Sequence, residues 1–140
     1  MCGPPCAGKN TYVTQHARPG DLVVDLDALY TAVNAHPTRA DHDQPPALTP
    51  FALDARDAIL TRLLHGDHNL RAAWVIHSAP EPRTRAEWKQ RGATVVMVTA
   101  PHEVLTHRAR GQRPTPWVDH ITDWHRRYQP GHVDHTITTG

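Results

Sequence analysis

The chain begins, after two residues, with Gly3-Pro4-Pro5-Cys6-Ala7-Gly8-Lys9-Asn10-Thr11. Two glycines bracket four residues here, a lysine follows the second glycine, and a hydroxyl residue lies close behind. In a phosphate-binding loop, backbone N–H groups wrap a polyphosphate, glycines allow its close approach and the lysine reaches the outer phosphates. A helix beginning at about Lys9 would add the positive end of its dipole. Residues 3–11 are therefore predicted to bind a nucleotide through its phosphates; the alternative is a turn without function.

One position in this stretch departs from the usual pattern. Asn10 stands where such a loop commonly carries a Ser or Thr whose hydroxyl holds Mg²⁺. An amide carbonyl is also an oxygen ligand for a hard cation, and Thr11 is adjacent. The sequence thus supports nucleotide binding better than any particular way of holding the metal.

Length and charge restrict the class of protein. With 140 residues and a formal net charge of +1, the chain fits one domain without a global basic field, so a polyanion must be met by a local patch. No apolar run approaches the ~18 residues of a membrane span, and no signal peptide is visible. We expect a single domain over residues 1–140 that is soluble, cytoplasmic and without a membrane partner.

The metal-binding residue types do not form a recognisable site. Cys2 and Cys6 are the only cysteines and lie in or beside the loop, so free thiols are expected. The twelve histidines are scattered, and pairs such as His65 and His68 lack the cysteine partners or the H-E-x-x-H frame of a zinc site. Solvated histidines are favoured over a structural metal.

Hydrophobic patterning predicts alternating strands and helices. Strands are predicted at residues 21–27, 73–78, 94–99 and 133–138. Helices are predicted at residues 9–17, 28–35, 51–65, 83–91, 102–110 and 117–128, with a turn at 111–116. Residues 36–50 contain four prolines and no periodicity, which predicts a mobile loop.

Apolar strands that alternate with helices indicate an α/β fold with a parallel sheet covered on both faces. Ligands of such sheets bind beyond the C-terminal ends of the strands. The phosphate loop, the acidic pair Asp25 and Asp27, and His77 with Ser78 all lie at such ends in this prediction. We expect them to converge on one crevice.

Four more stretches complete a resemblance to a known family. They are GDLVVDLDAL at 20–29, WVIHS at 74–78, RARGQR at 108–113 and WVDHITDW at 117–124. With the loop, they resemble the small P-loop kinases of phages, which are often labelled AAA-type ATPases and are similar in layout to the kinase domain of phage polynucleotide kinase. The resemblance implies a three-layer α/β/α P-loop NTPase fold, ATP and Mg²⁺ as cofactors, and the host cytoplasm as the location. The sensor residues and acidic Walker B strand of a true AAA ATPase are missing.

The resemblance also implies roles for individual residues. Asp27 matches the acidic residue that takes the proton from the acceptor hydroxyl, and Asp25 lies two residues earlier, pointing the same way along the strand. The alternative for Asp27 is a helix cap. The segment of about 106–116 matches the lid, in which Arg108, Arg110 and Arg113 would close over the phosphates. Arg108 and Arg110 diverge by ~200° on a regular helix, so at least one should turn inward.

Three function classes remain open. Because His77 stands where the family places an acid, the metal would be held through Asn10 or Thr11, water and Asp25. The first class is a kinase that moves the γ-phosphoryl group of ATP to a hydroxyl, such as the 5′-OH of a polynucleotide or a nucleotide acceptor. The second is an ATPase, and the third is a nucleotide-binding module without catalysis. The acceptor cannot be read from the sequence.

The central strand of the implied sheet is almost missing from the sequence. In the family's strand order, 2-3-1-4-5, the strand before the phosphate loop lies in the centre, and only Met1 and Cys2 precede Gly3. We expect either a gap between strands 73–78 and 94–99 or their direct pairing. We also expect further apolar residues upstream of the assigned start.

Overall fold

The computed structural model describes residues 1–36, 44–112 and 117–140. The chain is α/β, with short parallel strand pairs and helices that follow one another in alternation. In chain order the elements are α1 Lys9–His16, β1 Leu22–Asp25, α2 Leu26–Val33, α3 Thr49–His65, β2 Ala73–Ile76, α4 Pro82–Gln90, β3 Val96–Thr99, α5 His102–Gln112, α6 Trp117–Arg127 and β4 His135–Thr138. No helix in the described ranges has the length and apolarity to cross a membrane.

Two compact units divide the chain. The first unit consists of Met1–His16 with His77–Gly140, and the second unit is Ala17–Ile76. The helices and strands predicted from the sequence are present in them, so the α/β assignment is confirmed. Their boundaries differ in places, for reasons that lie in individual side chains.

In the second unit, β1 and β2 form a parallel pair in which Val24 lies opposite Val75. Asp21 precedes β1, and its carboxylate accepts hydrogen bonds from Arg71 Nε at 3.0 Å and Trp74 Nε1 at 3.1 Å. The backbone N–H of Arg18 also donates to it, and this bond is the main cause that holds the pKa of Asp21 below its usual value. Asp21 therefore ties the start of β1 to the start of β2.

The predicted strand 21–27 is two residues too long at its C-terminal end. β1 ends at Asp25 and α2 begins at Leu26, because the Asp25 side chain accepts the backbone N–H of Asp27 at 3.3 Å and caps the helix. Asp27 lies in the first turn of α2. The expectation that Asp25 and Asp27 point the same way along a strand is therefore wrong, and the capping residue is Asp25.

Two other predicted boundaries also differ from those in the structure. The predicted loop 36–50 includes a short 3₁₀ helix, Pro46–Leu48, and the start of α3, each with a proline near its first position. A proline is tolerated there because its missing N–H would lack a helical partner anyway. Gly111 is helical within α5 rather than part of a turn. Residues 37–43 of that loop and 113–116 of the predicted turn and lid lie outside the described residues.

In the first unit, β3 and β4 pair in parallel, with Val98 opposite Ile137. Val98, Leu105 of α5 and Ile121 of α6 are fully buried in one apolar cluster, which also contains Ala7 of the predicted phosphate loop. Burial of an aliphatic side chain of this size contributes about 1.5–3 kcal/mol. The loop is thus packed onto the core that β3, α5 and α6 form.

The segment Met1–Gly3 lies between β3 and residues 77–78 of the first unit. It forms a parallel bridge to β3 through Cys2 and Met97, and it bonds on its other side to the residues after position 76. The hydrogen bonds are Cys2 N to Val96 O and Val98 N to Cys2 O, each 2.8 Å, His77 N to Met1 O, 3.0 Å, and Gly3 N to Ser78 O, 2.9 Å.

The expected direct pairing of strands 73–78 and 94–99 is wrong, since β2 pairs with β1 and β3 pairs with β4. Next to residues 77 and 78, the expected gap is filled by Met1–Gly3. Extended residues present backbone groups to both sides in turn, so a three-residue segment can bond to both neighbours. This is enough here because β3 itself has only four residues.

Candidate phosphate-binding site

The backbone of the predicted loop has the conformation that its glycines predict. Gly3 has φ +140°, and a Cβ atom there would lie 1.9 Å from the Val98 carbonyl oxygen, so no other residue fits against β3. Gly8 has φ +92°, directly before α1 begins at Lys9. Cys6 also has positive φ, 62°, which is uncommon for a residue with a side chain and is found often at functional sites. The loop therefore turns sharply at Cys6 and Gly8 before the helix starts.

Lys9 folds back over the loop. Its Nζ donates to Gly3 O at 2.8 Å and to Pro4 O at 2.7 Å, and the residue is only 9% exposed. A buried ammonium must be hydrogen-bonded, and these carbonyls meet that need. Lys9 Nζ therefore lies against the first two residues of the loop.

Ser78, next to His77, makes a neutral contact to the same loop. Its hydroxyl donates to Gly3 O at 3.2 Å, and its carbonyl accepts Gly3 N. Trp124 Nε1 donates to the same carbonyl at 3.1 Å. Ser78 thus holds the first glycine of the loop. The expected convergence of the loop, the Asp25–Asp27 pair and residues 77–78 on one crevice stays a prediction.

Arg108 reaches the loop from α5. Its Nη1 donates to Cys6 O at 3.3 Å and to Thr139 Oγ1 at 2.9 Å, and its Nη2 donates to Gly140 O at 2.6 Å. Arg110 is exposed. The prediction that one of the two arginines turns inward is confirmed, and it is Arg108. Arg113 lies outside the described residues.

The exposure of the remaining loop residues depends on whether they pack against the core or lie on the surface of α1. Ala7 is fully buried and Pro4 is among the most buried side chains, while Pro5 is half-buried. Asn10 and Thr11 are exposed in the first turn of α1. Their oxygen atoms are of the kind that a hard cation takes, so the two side chains fit Mg²⁺ in chemistry and in access.

The acidic residues belong to the second unit. Asp25 caps α2, and the Asp27 carbonyl accepts a hydrogen bond from Thr31 Oγ1 at 3.1 Å. The assignment of Asp27 as the base and of Asp25 as a metal ligand stays a prediction. Within the described residues, no group of three or more His, Cys, Asp or Glu side chains is arranged to hold a metal ion.

The two thiols differ in their surroundings although both are free. Cys2 is buried, its Sγ donates to Val96 O at 3.4 Å, and burial raises the pKa of the thiol. Cys6 is half-buried in the loop. The predicted absence of a disulfide is confirmed for the pair. Chemical modification of Cys6 can therefore report on the loop, and the buried Cys2 serves as the comparison.

Arg85, which no sequence pattern singled out, stabilises the first unit. Arg85 of α4 is fully buried, and its guanidinium donates to three backbone carbonyls, those of Pro80, Gln129 and Gly131. It also lies 5.1 Å from the centroid of the Tyr128 ring, in range of a cation–π contact. Arg85 thus fixes the connection between α6 and β4. No local pattern marks it, because two of its three carbonyl partners lie 44 and 46 residues away.

An open groove of about 380 Å³ lies beside that connection. Its walls include Met97 of β3 and the stacked rings of Trp124 and Tyr128, whose centroids are 4.6 Å apart. Burial raises the pKa of Tyr128. The lining is mostly apolar and suits planar or aliphatic groups rather than phosphates.

Comparisons with known proteins show a distant structural likeness. No protein-family model matches the sequence, and no curated protein matches it. Among solved structures, the chain is similar to the tunicamycin resistance protein of Deinococcus radiodurans, at 19% sequence identity and a TM-score of 0.46. The likeness covers 99% of this chain and 84% of that one. A likeness at this level says nothing about what this chain binds.

Proposed function

We propose that the protein is an ATP-dependent phosphotransferase of the three-layer P-loop NTPase type, which moves the γ-phosphoryl group of ATP to a hydroxyl. The observation that carries the proposal is the pair of cations on one glycine loop. Lys9 donates to the carbonyls of Gly3 and Pro4, and Arg108 donates to the carbonyl of Cys6. Two positively charged side chains thus contact one loop that two glycines bracket, and this supports the proposal because polyphosphates bind where loop N–H groups and such cations meet.

The chemistry assigned to these residues is charge stabilisation. Lys9 would exchange its carbonyl partners for the outer phosphate oxygens, which bind an ammonium more strongly because they are charged. Arg108 would stabilise the charge that develops on the transferring group. Mg²⁺ bound with the nucleotide would neutralise further phosphate charge, and Asn10, Thr11 and Asp25 are its proposed protein ligands.

The group transfer itself requires a proton acceptor. In the proposed step the acceptor oxygen bonds to the γ-phosphorus, the bond from that phosphorus to the β–γ bridging oxygen breaks, and ADP leaves. The proton of the acceptor hydroxyl passes to the carboxylate of Asp27. The proposed acceptor is a polynucleotide 5′-OH, and Arg110 and Arg113 are proposed to complete the lid.

A nucleotide-binding module without catalysis is the second candidate. It is favoured by the observed use of Asp25 as a helix cap and by the neutral Ser78 beside the loop. An ATPase would differ from both by transferring the phosphoryl group to water.

The test measures binding and transfer separately. ATP binding is measured by calorimetry, and transfer is measured with γ-labelled ATP and Mg²⁺ against a 5′-hydroxyl oligonucleotide, a nucleoside and water alone. Lys9→Ala is expected to lower transfer about 100-fold or more, while Gln15→Ala, an exposed change on the same helix, leaves it unchanged. Label on the oligonucleotide supports the kinase, and phosphate release without an acceptor supports the ATPase. Binding without either supports the module.

Alkylation of Cys6 gives an independent reading of where ATP binds. If the phosphates occupy the loop, saturating ATP should slow alkylation of Cys6 and leave the already slow reaction of Cys2 unchanged. The thermal midpoint of Lys9→Ala without nucleotide is the fold control, and a small fall is expected because two carbonyls lose their donor. Equal ATP affinity in the wild type and Lys9→Ala would contradict the proposal.

A further inference from the structure

Thr139 lies where the phosphate loop, α5 and the end of β4 come together. Its backbone N–H donates to Thr99 O at 2.8 Å, so the residue continues the pairing of β3 with β4 by one step. Its methyl group lies beside the loop, because a Cβ atom on Gly8 would be 3.7 Å from Thr139 Cγ2. The position of Thr139 is therefore set by the sheet, while its side chain faces the loop.

The Thr139 hydroxyl joins two parts of the proposed site. It accepts a hydrogen bond from Arg108 Nη1 at 2.9 Å. It donates to Ala7 O at 3.0 Å, with Thr99 O a longer alternative at 3.4 Å. A hydroxyl has one proton and two lone pairs, so it can accept from Arg108 and donate to Ala7 at the same time.

We propose that Thr139 is a positioning residue for phosphoryl transfer, which holds the Arg108 guanidinium in register with the phosphate loop. The proposal rests on the function proposed above. Arg108 is also held by Cys6 O and Gly140 O, and these two carbonyls with the Thr139 hydroxyl fix both ends of the guanidinium. Thr139 is the member of this set that also contacts the loop through Ala7.

The physical reason is the flexibility of arginine. Its long side chain loses much rotamer freedom when it is ordered, and an arginine that stabilises a transition state acts best when that ordering precedes the reaction. Without the hydroxyl the guanidinium keeps its carbonyl contacts and loses the link to the residue beside Gly8. A shift of about 1 Å in such a group can lower a rate about 100-fold, so a partial loss of order should cost about 10-fold.

The experiment uses substitutions that separate the hydroxyl from the shape of the side chain. Thr139→Val removes the hydroxyl with little change of shape, and Thr139→Ser keeps it. Thr138→Val is the matched control, because Thr138 is an exposed neighbour at the end of the same strand. Each variant is made in the wild type and in Arg108→Ala, and kcat for transfer, KM and the Kd for ATP are measured with the full chain. Thr139→Ala takes the place of the valine variant if that variant does not fold.

A positioning role predicts a particular pattern. Thr139→Val lowers kcat about 10-fold with the Kd for ATP within about twofold of the wild type, and Thr139→Ser restores kcat. In the Arg108→Ala background, Thr139→Val has no further effect, because the residue acts through Arg108. A merely structural role would instead lower the thermal midpoint and weaken ATP binding and kcat together.

The outcomes separate the two proposals. If the wild type does not transfer the phosphoryl group, whether or not it binds ATP, the proposed function is overturned and the role of Thr139 falls with it. If the wild type is active and Thr139→Val matches it, only the role of Thr139 is overturned. Equal and additive losses from Thr139→Val in the two backgrounds would also overturn it.

Discussion

The strand pairs β1–β2 and β3–β4 are equally short, and the polar residues at their C-terminal ends have different partners. At the end of β1, the carboxylate of Asp25 bonds to the next helix and caps it. Just beyond β4, the hydroxyl of Thr139 bonds to Ala7 and Arg108, which are 132 and 31 residues away in sequence. The helix cap of Asp25 is a contact between near neighbours in sequence, whereas the contacts of Thr139 join residues that are distant in sequence.

Asp27 offers the largest test of this difference. If Asp27, in the first turn of α2, is the general base, Asp27→Asn should lower transfer by about 10²–10⁴-fold with ATP binding retained, because an amide cannot accept the proton. Asp25→Asn is the matched variant, since Asn caps a helix as well as Asp. Single-turnover rates with saturating ATP measure both. A nearly normal rate for Asp27→Asn would remove Asp27 from the chemistry.

Arg85 tests how strongly the first unit depends on contacts between distant residues. Arg85→Met should lower the free energy of unfolding by about 3 kcal/mol, because three carbonyls lose the donor that satisfied them. Arg83→Met on the same helix is the control. Arg83 forms an exposed ion pair with Glu87, and such pairs contribute about 0–1 kcal/mol. Urea unfolding measures both variants, and equal losses would show that Arg85 stabilises the unit no more than an exposed arginine does.

The cap on α2 is a smaller and purely local effect. Asp25→Ala should cost about 1 kcal/mol of unfolding free energy, while Asp25→Asn should cost little. Urea midpoints at neutral pH distinguish these values. If both variants lose the same amount, the charge of Asp25 matters through other partners, and the cap is a minor part of its role.

Each unit also has an aspartate whose carboxylate connects the two strands of its pair. Protonation of these carboxylates at low pH should lower the free energy of unfolding of both units. Asp134 accepts Val95 N at 2.8 Å and pairs with Lys89, which is the main cause of its lowered pKa. The pKa of Asp21 is lowered as well, chiefly by the N–H of Arg18. Because the folded pKa values lie below the ordinary 3.8, the stabilisation is present above about pH 4 and is lost as the pH falls through the folded values.

The measurement is the urea midpoint between pH 5 and pH 2. Asp134→Asn and Asp21→Asn should each begin less stable at pH 5 and lose less on acidification than the wild type. Asp123→Asn is the control, since Asp123 forms an exposed pair with Arg126 on α6. An acid dependence in Asp134→Asn as steep as that of the wild type would show that the Lys89 contact does not act on stability.

The sequence by itself determined the features that depend on near neighbours. Glycine spacing around Lys9 predicted the loop and the start of α1, because left-handed backbone and a helix N-terminus are local properties. The alternation of apolar strands and helices predicted the α/β class. The helical spacing of Arg108 and Arg110 predicted that at least one would face inward. The sequence predicted the positions of Asp25 and Asp27 less well, since aspartate is common both at the end of a strand and at a helix cap.

Tertiary structure decided everything that depends on contacts between distant residues. Met1–Gly3 acts as a strand because β3 and residues 77–78 present backbone groups on its two sides. Arg85 is buried, and Thr139 meets Arg108, because the folded chain brings their partners to them. Such contacts leave no periodicity or motif in the sequence, since a hydrogen bond depends on distance in space and not on separation along the chain.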